Sequence, residues 1–341
     1  MRHDDFLELT ERTEPLLYEA DQAAWLDRLE REHDNMRAAF DAYVSAGHGE
    51  RALRLAAALG RFWHMHGHLS EARERLARAL SLSDPSAHAA VRARALDWAG
   101  TFARYQGDYA NARVHFEEAL ALHRAARNEP AVAGTVHSLG LVARGEGDDV
   151  AGRRLLEEAL GRLRDLGDIR GVHNALHNLG DLAADQGDLE AARSLHEEAL
   201  ALRRELGNQV GIAASLLSLG HVARTGRDRA KARSLYTESM ARFHDLGDKP
   251  GVAECLEGLA RLDRSEGEPE RAARLLGAAS AINERLATAK WPAEQRVAAE
   301  LVADMRRDLG EPAFDAAWRK GLAMSVEDAI ALAGRPAVAD G

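Results

Sequence analysis

The chain of 341 residues is 46% hydrophobic and 29% charged, and its formal net charge is −10 at pH 7. This acidic balance argues against direct binding of nucleic acid, which favours an excess of Lys and Arg. The single cysteine excludes an intramolecular disulfide and a cysteine-type zinc module, and it is compatible with a reducing cytosol. No apolar run reaches the ~18–20 residues of a membrane-spanning helix. We therefore expect a cytoplasmic protein that binds neither nucleic acid directly nor a membrane.

The first 48 residues predict two helices over residues 5–46. Apolar residues recur in this segment at helical spacing, and we expect them to form the buried side of a cap on the open end of a helical stack. They are Trp25, Leu26, Leu29, Met36 and Phe40. Residues 1–48 are therefore assigned as N-terminal capping helices.

Residues 49–288 repeat with a period of 40 residues. At one position of the repeat, most residues are glycines that follow a leucine. The residues at this position, which we call the first glycine column, are Gly60, Gly100, Gly140, Gly180, Gly220 and Ala260. A turn glycine follows seven residues later, at Gly67, Gly107, Gly147, Gly187 and Gly267, with Arg227 in the fifth repeat. A small residue follows the first column by twelve, at Ala72, Ala112, Gly152, Ala192, Ala232 and Ala272. A fixed period of this length predicts a stack of helical hairpins, here six, at roughly 50–86, 89–127, 129–167, 169–207, 209–247 and 249–288.

Each column has a physical reason. The small residues allow the two helices of a hairpin, A and B, to approach closely. The turn glycine adopts the left-handed conformation that ends helix A, and the Asp after it, as in Gly147-Asp148, can cap the start of helix B. Leu166-Gly167-Asp168 repeats this pattern at the end of helix B. The local signals thus predict the ends of the repeat helices that carry these patterns.

The columns resemble the tetratricopeptide repeat, whose signature places Leu-Gly early in helix A and small residues in helix B. In the third repeat the matching residues are Leu139, Gly140, Gly152, Leu156 and Ala159. The usual period is 34, so we expect the additional residues in a longer helix B and in the Leu-Gly-Asp link. A HEAT-type array has similar periods but lacks these columns. The resemblance implies an all-α fold, a right-handed α-solenoid of about six hairpins with a helical cap at each end.

The C-terminal region, residues 289–333, predicts two or three shorter capping helices after a break at Lys290-Trp291-Pro292. Ser325 and Asp328 have the spacing of a capping box at the start of the last of these helices. Residues 334–341 are expected to form a flexible tail.

Both ends of the chain resemble a more specific family. Residues 25–80 and 271–333 look like the two ends of the helical, MalT-like arm of actinobacterial LuxR- or AfsR-like ATPase-type transcription regulators. The sequence has no G-x-x-x-x-G-K-[ST] loop for a triphosphate, and no helix-turn-helix stands out from the hairpins. We expect either an excised arm or a natural protein made of the arm alone.

In tetratricopeptide arrays helix A lines the concave surface, so the resemblance assigns candidate groove residues. They are Arg61, His64, Asp97, Arg104, His137, Arg144, His177, Asp181, His221, Arg224, Arg261 and Arg264. Arginine recurs four residues after the first glycine column in four of the six repeats. Such a line of guanidinium groups favours carboxylate or phosphate ligands. The alternative is that these arginines pair with nearby acidic side chains and keep the helix soluble.

Histidine is the second unusual feature. His173, His177 and Asp181 have i, i+4, i+8 spacing and share one helix face, which makes them a weak candidate for a divalent-metal site. The alternatives are a pH-sensitive patch and ordinary groove histidines. His64, His66 and His68 alternate near the end of a helix and cannot all face one point.

The sequence favours a scaffold that binds a protein or peptide partner with acidic groups, as the sensor or interaction arm of a bacterial transcription regulator. One alternative is a solenoid that senses a small-molecule effector, and another is an enzyme or metal protein that uses the histidine face. We identify no catalytic set and expect no cofactor. Cys255 lies among apolar residues and is expected to be a buried packing residue.

Overall fold

The computed structural model describes residues 3–18, 22–85, 87–285 and 292–335. In these ranges the regular structure is helical, with no strand. The helices before the repeats are α1 (His3–Thr13), a 3-10 turn (Glu14–Tyr18), α2 (Gln22–Arg31) and α3 (His33–Ser45). The six hairpins are α4 (Gly49–His66) with α5 (Leu69–Leu82), α6 (Ala89–Tyr105) with α7 (Tyr109–Ala125), α8 (Glu129–Gly145) with α9 (Asp149–Asp165), α10 (Ile169–Asp185) with α11 (Leu189–Glu205), α12 (Gln209–Thr225) with α13 (Arg229–Asp245) and α14 (Lys249–Ser265) with α15 (Pro269–Arg285). The last helices are α16 (Pro292–Leu309), α17 (Glu311–Leu322) and α18 (Val326–Ala333).

The all-α hairpin architecture predicted from the sequence is confirmed. In the described part of the chain, no helix combines the length and the apolar character needed to cross a membrane. The chain divides into two compact units, residues 1–166 and 167–341. The first unit contains α1 to α9 and the second contains α10 to α18, and each is described by itself below.

The position of the additional residues in the repeat differs from our expectation. From the second hairpin onward both helices are 17 residues long, as in α8 and α9. Gly140 lies in the second half of α8 rather than early in it. The lengthening is therefore shared by the two helices of a hairpin and is not confined to helix B.

The predicted helix ends are confirmed in detail. Gly147 has φ +85°, and the side chain of Asp148 accepts a hydrogen bond of 2.9 Å from the backbone N–H of Ala151. The same side-chain cap begins eight consecutive helices, at Asp108, Asn128, Asp148, Asp168, Asp188, Asn208, Asp228 and Asp248. Arg227 takes the glycine position of its link with φ +63°, which costs about 1 kcal/mol because the side chain crowds the backbone.

The first glycine column lets a large side chain of helix B lie against the backbone of helix A. A Cβ built on Gly100 would lie 2.9 Å from the ring of Phe116, and one on Gly220 would lie 2.7 Å from Tyr236. The same approach joins Gly180 to His196, whose ring would be 2.7 Å from that Cβ. Glycine is required at these positions because any side chain would displace the core residue of the hairpin.

The N-terminal region has one more helix than predicted, since three α-helices and the 3-10 turn replace the expected two helices. Four of the five predicted core residues are buried, and Trp25 is partly buried against the same cluster. The 3-10 turn separates α1 from α2, and Leu17 within it is fully buried.

The C-terminal helices of the second unit pack onto the last hairpin. A Cβ on Gly277 of α15 would lie 2.6 Å from the carbonyl oxygen of Trp318, so α15 and α17 meet backbone to backbone. Ser325 caps α18 as predicted, because its Oγ accepts a 3.0 Å hydrogen bond from the N–H of Asp328. The α16 helix, at 18 residues, is not shorter than the repeat helices. The predictions for residues 290, 291 and 336–341 lie outside the described residues.

The contact between α15 and α17 leads to a testable prediction. In Gly321→Ala the new Cβ would lie 2.2 Å from the carbonyl oxygen of Arg274. Neither backbone can yield without moving a helix, so we expect a loss of about 1–3 kcal/mol of local stability. Hydrogen exchange of the α17 amides is the measurement, and faster exchange is the expected result. Gly161→Ala is the control, because its Cβ meets no atom within 4 Å; α17 exchange that is equally slow in both variants would contradict the prediction.

Candidate binding site

In the first unit, five of the predicted groove residues lie at or beyond the middle of helix A in successive hairpins. They are Arg61, His64, Arg104, His137 and Arg144, all partly buried, and together we call them the first strip. The Nε2 atom of His64 lies 3.0 Å from the hydroxyl of Tyr105, and the two rings stack at 5.1 Å. The guanidinium of Arg104 lies over the same tyrosine ring, 4.3 Å from its centre. The strip therefore joins cationic and aromatic groups of neighbouring hairpins.

The positive charge of the first strip is carried by its arginines. Burial, together with the charges of Arg61 and Arg104, lowers the pKa of His64. Burial and the charge of Arg104 lower the pKa of His137 to about 4. The imidazole of His137 is therefore neutral at pH 7, and any anion that binds the strip would be attracted by guanidinium groups.

Asp97 belongs to a structural network instead. Its Oδ1 accepts a 2.9 Å hydrogen bond from the hydroxyl of Thr135, and its Oδ2 lies 2.8 Å from Nε2 of His123. Both partners are buried. The carboxylate of Asp97 thus ties α6 to α7 and α8, and we leave it out of the proposed ligand contacts.

In the second unit, His221, Arg224 and Arg261 form a comparable group, which we call the second strip. Burial, followed by the charges of Arg224 and Arg261, lowers the pKa of His221 to about 4. Burial and the charge of Arg224 also lower the pKa of Arg261. His221 Nδ1 lies 2.9 Å from the hydroxyl of Tyr236. Two guanidinium groups are thus held close to one neutral imidazole.

Arg264, the last member of the predicted arginine column, is engaged by the C-terminal cap. Its Nε donates to Asp308 at 2.6 Å and its Nη1 donates to Asp304 at 2.9 Å, both on α16. The hydrogen bond to Asp308 is the first cause of its raised pKa. At this position the arginine therefore pairs with acidic side chains, which was the alternative interpretation of the column.

The histidine–aspartate group has a different third member from the one predicted. His173 is buried, and its Nδ1 accepts a 3.3 Å hydrogen bond from Arg203. This histidine is therefore a hydrogen-bond partner of that arginine. His196 of α11 meets His177 and Asp181 instead, with potential ligand atoms of all three within 4.8 Å of one another. The sequence carried a signal for this position, because the other repeats have leucine, phenylalanine or tyrosine there.

Two further groups of possible metal ligands lie at the N-terminal end of the first unit. The ring nitrogens of His66 and His68 each lie 3.2 Å from Oε2 of Glu30. His33, His68 and Glu71 form the other group. Because His64 faces Tyr105, the three alternating histidines do not share one point, as predicted, but two of them share a carboxylate that the sequence did not identify.

Cys255 is fully buried, and its thiol lies 3.3 Å from the hydroxyl of Ser239. Burial raises the pKa of the thiol to about 12. The prediction of a packing residue is confirmed, because Cys255 belongs to the buried hydrophobic core of the second unit.

Models of the tetratricopeptide-repeat family match residues 171–245 and 93–129. The chain contains tetratricopeptide repeats. The two matches lie in different compact units: the match to residues 93–129 covers most of the second hairpin, and the match to residues 171–245 covers the fourth and fifth hairpins. No curated protein matches the chain.

Several solved structures are similar to this one in fold. A Rap protein complexed with Competence and Sporulation Factor has a TM-score of 0.64 and 14% identity, over 97% of this chain and 99% of that one. BtubC (BKLC) from P. vanneervenii has a TM-score of 0.52 and 18% identity, over 63% of this chain and 92% of that one. The Rap conjugation gene regulator of the plasmid pLS20, in complex with the Phr* peptide, has a TM-score of 0.52 and 15% identity, over 76% of this chain and 75% of that one. At these identities the similarity establishes a tetratricopeptide-like solenoid fold and nothing finer.

Proposed function

We propose that the chain is a tetratricopeptide scaffold that binds a protein or peptide partner with acidic groups through the first strip. The observation that carries the proposal is the stacking of His64 on Tyr105, whose ring also lies under the guanidinium of Arg104. The charges of Arg61 and Arg104 both act on the imidazole of His64. Like charges held together on a partly buried surface repel one another, and an anion that binds between them relieves this repulsion. Arginine also binds carboxylates through two parallel hydrogen bonds.

Aromatic groups beside the arginines support a peptide as the ligand. Trp98 is partly exposed, stacks on Phe102 at 5.7 Å and lies 6.1 Å from the ring of His64. Tyr105 lies between His64 and Arg104. Aromatic and arginine side chains are enriched where binding energy concentrates in protein interfaces. The first strip and the aromatic side chains beside it thus supply both the cationic and the apolar groups that an acidic peptide needs.

The similar structures support the same class of partner. One Rap protein was solved with Competence and Sporulation Factor, and the plasmid-borne Rap regulator was solved with a peptide. We infer that a peptide or an extended protein segment is also the ligand of this chain. On the resemblance of residues 25–80 and 271–333 to regulator arms, we further propose that it acts as the interaction arm of a bacterial transcription regulator and not as an enzyme.

The test is a double variant, Arg104→Ala with Arg144→Ala, in the full chain. Wild-type protein is expected to retain acidic members of a peptide library that varies in net charge. Each charge-assisted contact contributes about 1.5–3 kcal/mol, so the double variant should bind the retained peptides at least about tenfold more weakly. Fluorescence anisotropy of the retained peptides measures this change.

The matched control removes two arginines from helix B of the same two hairpins, as Arg124→Ala with Arg164→Ala. Both residues are exposed, and each hairpin loses the same charge as in the test. The control is expected to bind like wild type, with unchanged circular dichroism in both variants. Equal weakening by the two pairs, or preferential retention of basic peptides, would overturn the proposal.

A further inference from the structure

A second kind of site lies in the fourth hairpin, where α10 packs against α11. His177 and Asp181 are one turn apart on α10, and Nε2 of His177 lies 3.6 Å from Oδ2 of Asp181. His196 enters from α11, and its Nε2 lies 3.5 Å from Oδ1 of the same aspartate. The two imidazole rings are 5.4 Å apart at 62°. Two imidazoles and one carboxylate therefore converge on one point.

The spacing of these atoms fits a metal ion better than hydrogen bonds. At 3.5 and 3.6 Å the nitrogen–oxygen distances exceed the range of a good hydrogen bond. A tetrahedral zinc ion with bonds of about 2.1 Å holds its ligand atoms about 3.4 Å apart. The two nitrogen–oxygen distances are therefore close to the separation that zinc would impose, and the potential ligand atoms of all three side chains lie within 4.8 Å of one another.

The other hairpins do not have this combination of possible metal ligands at the equivalent positions. The position of His196 is occupied elsewhere by Leu76, Phe116, Leu156, Tyr236 and Leu276. The position of Asp181 is occupied by Arg61, Thr101, Leu141, His221 and Arg261. In the fifth hairpin the corresponding pair is a tyrosine hydroxyl and a histidine, 2.9 Å apart, with no carboxylate. The fourth hairpin alone has ligand-type side chains at both positions together with a histidine four residues before the aspartate.

The position of His196 also suits metal binding. The side chain is 1% exposed, and Nε2 is the ring nitrogen that faces Asp181. A metal ion at this point would bind the lone pair of Nε2, as it does in sites with imidazole ligands.

The surroundings fix the ring and leave the group accessible. His196 lies against Gly180, where a Cβ would come within 2.7 Å of the ring, so glycine allows this approach. The side chains of His177 and Asp181 remain 26% and 34% exposed, which gives an ion a route to the group. Nearby Arg203 donates its hydrogen bonds to His173, Ser215 and the carbonyl of Gly211.

We propose that His177, Asp181 and His196 form a binding site for a divalent transition metal of the zinc class. The protein supplies two imidazole nitrogens and one carboxylate oxygen. The remaining coordination position is filled by water or by an incoming ligand, as in zinc sites with three protein ligands.

The test uses the untagged full chain, stripped of metal with a chelator. The clusters of Glu30 with His66 and of His33 with Glu71 both include His68, so His68→Ala removes the competing groups. We expect His68→Ala protein to bind one equivalent of Zn²⁺ by calorimetry at pH 7.5 and to melt at a higher temperature with the ion. Failure of this variant to bind zinc would overturn the proposal.

Two matched substitutions in the His68→Ala background locate the ion. His196→Phe installs the residue of the second hairpin, and Asp181→Leu installs that of the third, so both keep a side chain that this fold accommodates. Each is expected to weaken zinc binding at least about 100-fold, since one of three ligands is lost. Zinc binding or thermal stabilisation that survives in either variant, with circular dichroism unchanged, would overturn the assignment of the site.

Discussion

Asp263→Ala is expected to lower the free energy of unfolding by about 3 kcal/mol, although alanine fits the position sterically. Asp263 is fully buried, and its carboxylate lies 2.6 Å from Arg233 and 3.0 Å from Arg271. Removal of the carboxylate leaves two largely buried guanidinium groups without this acidic partner. Removing one partner of a buried ion pair costs about 3–5 kcal/mol of folding free energy. We expect the lower end because Arg233 keeps a second partner, Glu266.

The steric part of this prediction has an internal control. Alanine occupies the equivalent position in four other hairpins, at Ala103, Ala143, Ala183 and Ala223, and is buried in each. The destabilisation of Asp263→Ala therefore reports on charge, not on packing. Urea unfolding by circular dichroism gives the free energy, and hydrogen exchange in α13 to α15 localises the loss.

The double variant Asp263→Ala with Arg271→Ala measures the interaction between these two side chains separately from their other contacts. Alanine stands at the position of Arg271 in the third and fourth hairpins, as Ala151 and Ala191. Because the double variant removes one unpaired charge, it should be less destabilised than the sum of the two single variants. Additive losses, or an unchanged urea midpoint in Asp263→Ala, would show that the buried carboxylate is not stabilised by its arginines.

Acid is expected to destabilise the protein between about pH 6.5 and pH 4 through two partly buried histidines. His137 and His221 both have a pKa near 4 in the folded chain, chiefly because burial disfavours the charged ring. In the unfolded chain they titrate near pH 6.5. Below that pH the unfolded chain binds protons that the folded chain does not, so the free energy of unfolding falls until about pH 4 and then levels off for these groups. Allowing for partial exposure, each histidine contributes on the order of 2 kcal/mol.

The repeat again provides matched substitutions. Leu217 occupies the position of His137, and Leu141 occupies the position of His221. The variant His137→Leu with His221→Leu is expected to lose less stability than wild type as the pH falls through this window. Urea midpoints measured from pH 7.5 to pH 4 in the presence of a chelator test the prediction. Parallel pH profiles for the two proteins would contradict it.

The ends of the helices were predictable because their causes are local. Gly147 and Asp148 determine the end of α8 and the start of α9 with atoms no more than a few residues away. The helical cap over the first hairpin was predicted in part, since the apolar spacing identified Leu29 and Phe40 but not the 3-10 turn. The equal length of the two helices was missed because a period of 40 residues does not say which helix is longer.

The histidine–aspartate group was also predictable only in part. Spacing along α10 correctly placed His177 and Asp181 on one face, but it also placed His173 there. Only the packing of α11 and α12 against α10 shows that Arg203 engages His173, and that His196 takes its place beside the aspartate. The spacing of residues within one helix determines the face on which a side chain lies, whereas the packing of the neighbouring helix determines which residues that side chain contacts.

The sequence by itself determined the period, the number of hairpins and the capping residues at the ends of the repeat helices. These follow from steric and hydrogen-bonding preferences that act within a few residues. The tertiary structure alone decided which charged groups meet. Arg264 is paired with Asp304 and Asp308 of α16, 40 and 44 residues along the chain, while the charges of Arg61 and Arg104 both act on His64. Electrostatic pairing depends on distances between helices, and a repeat pattern along the chain does not contain those distances.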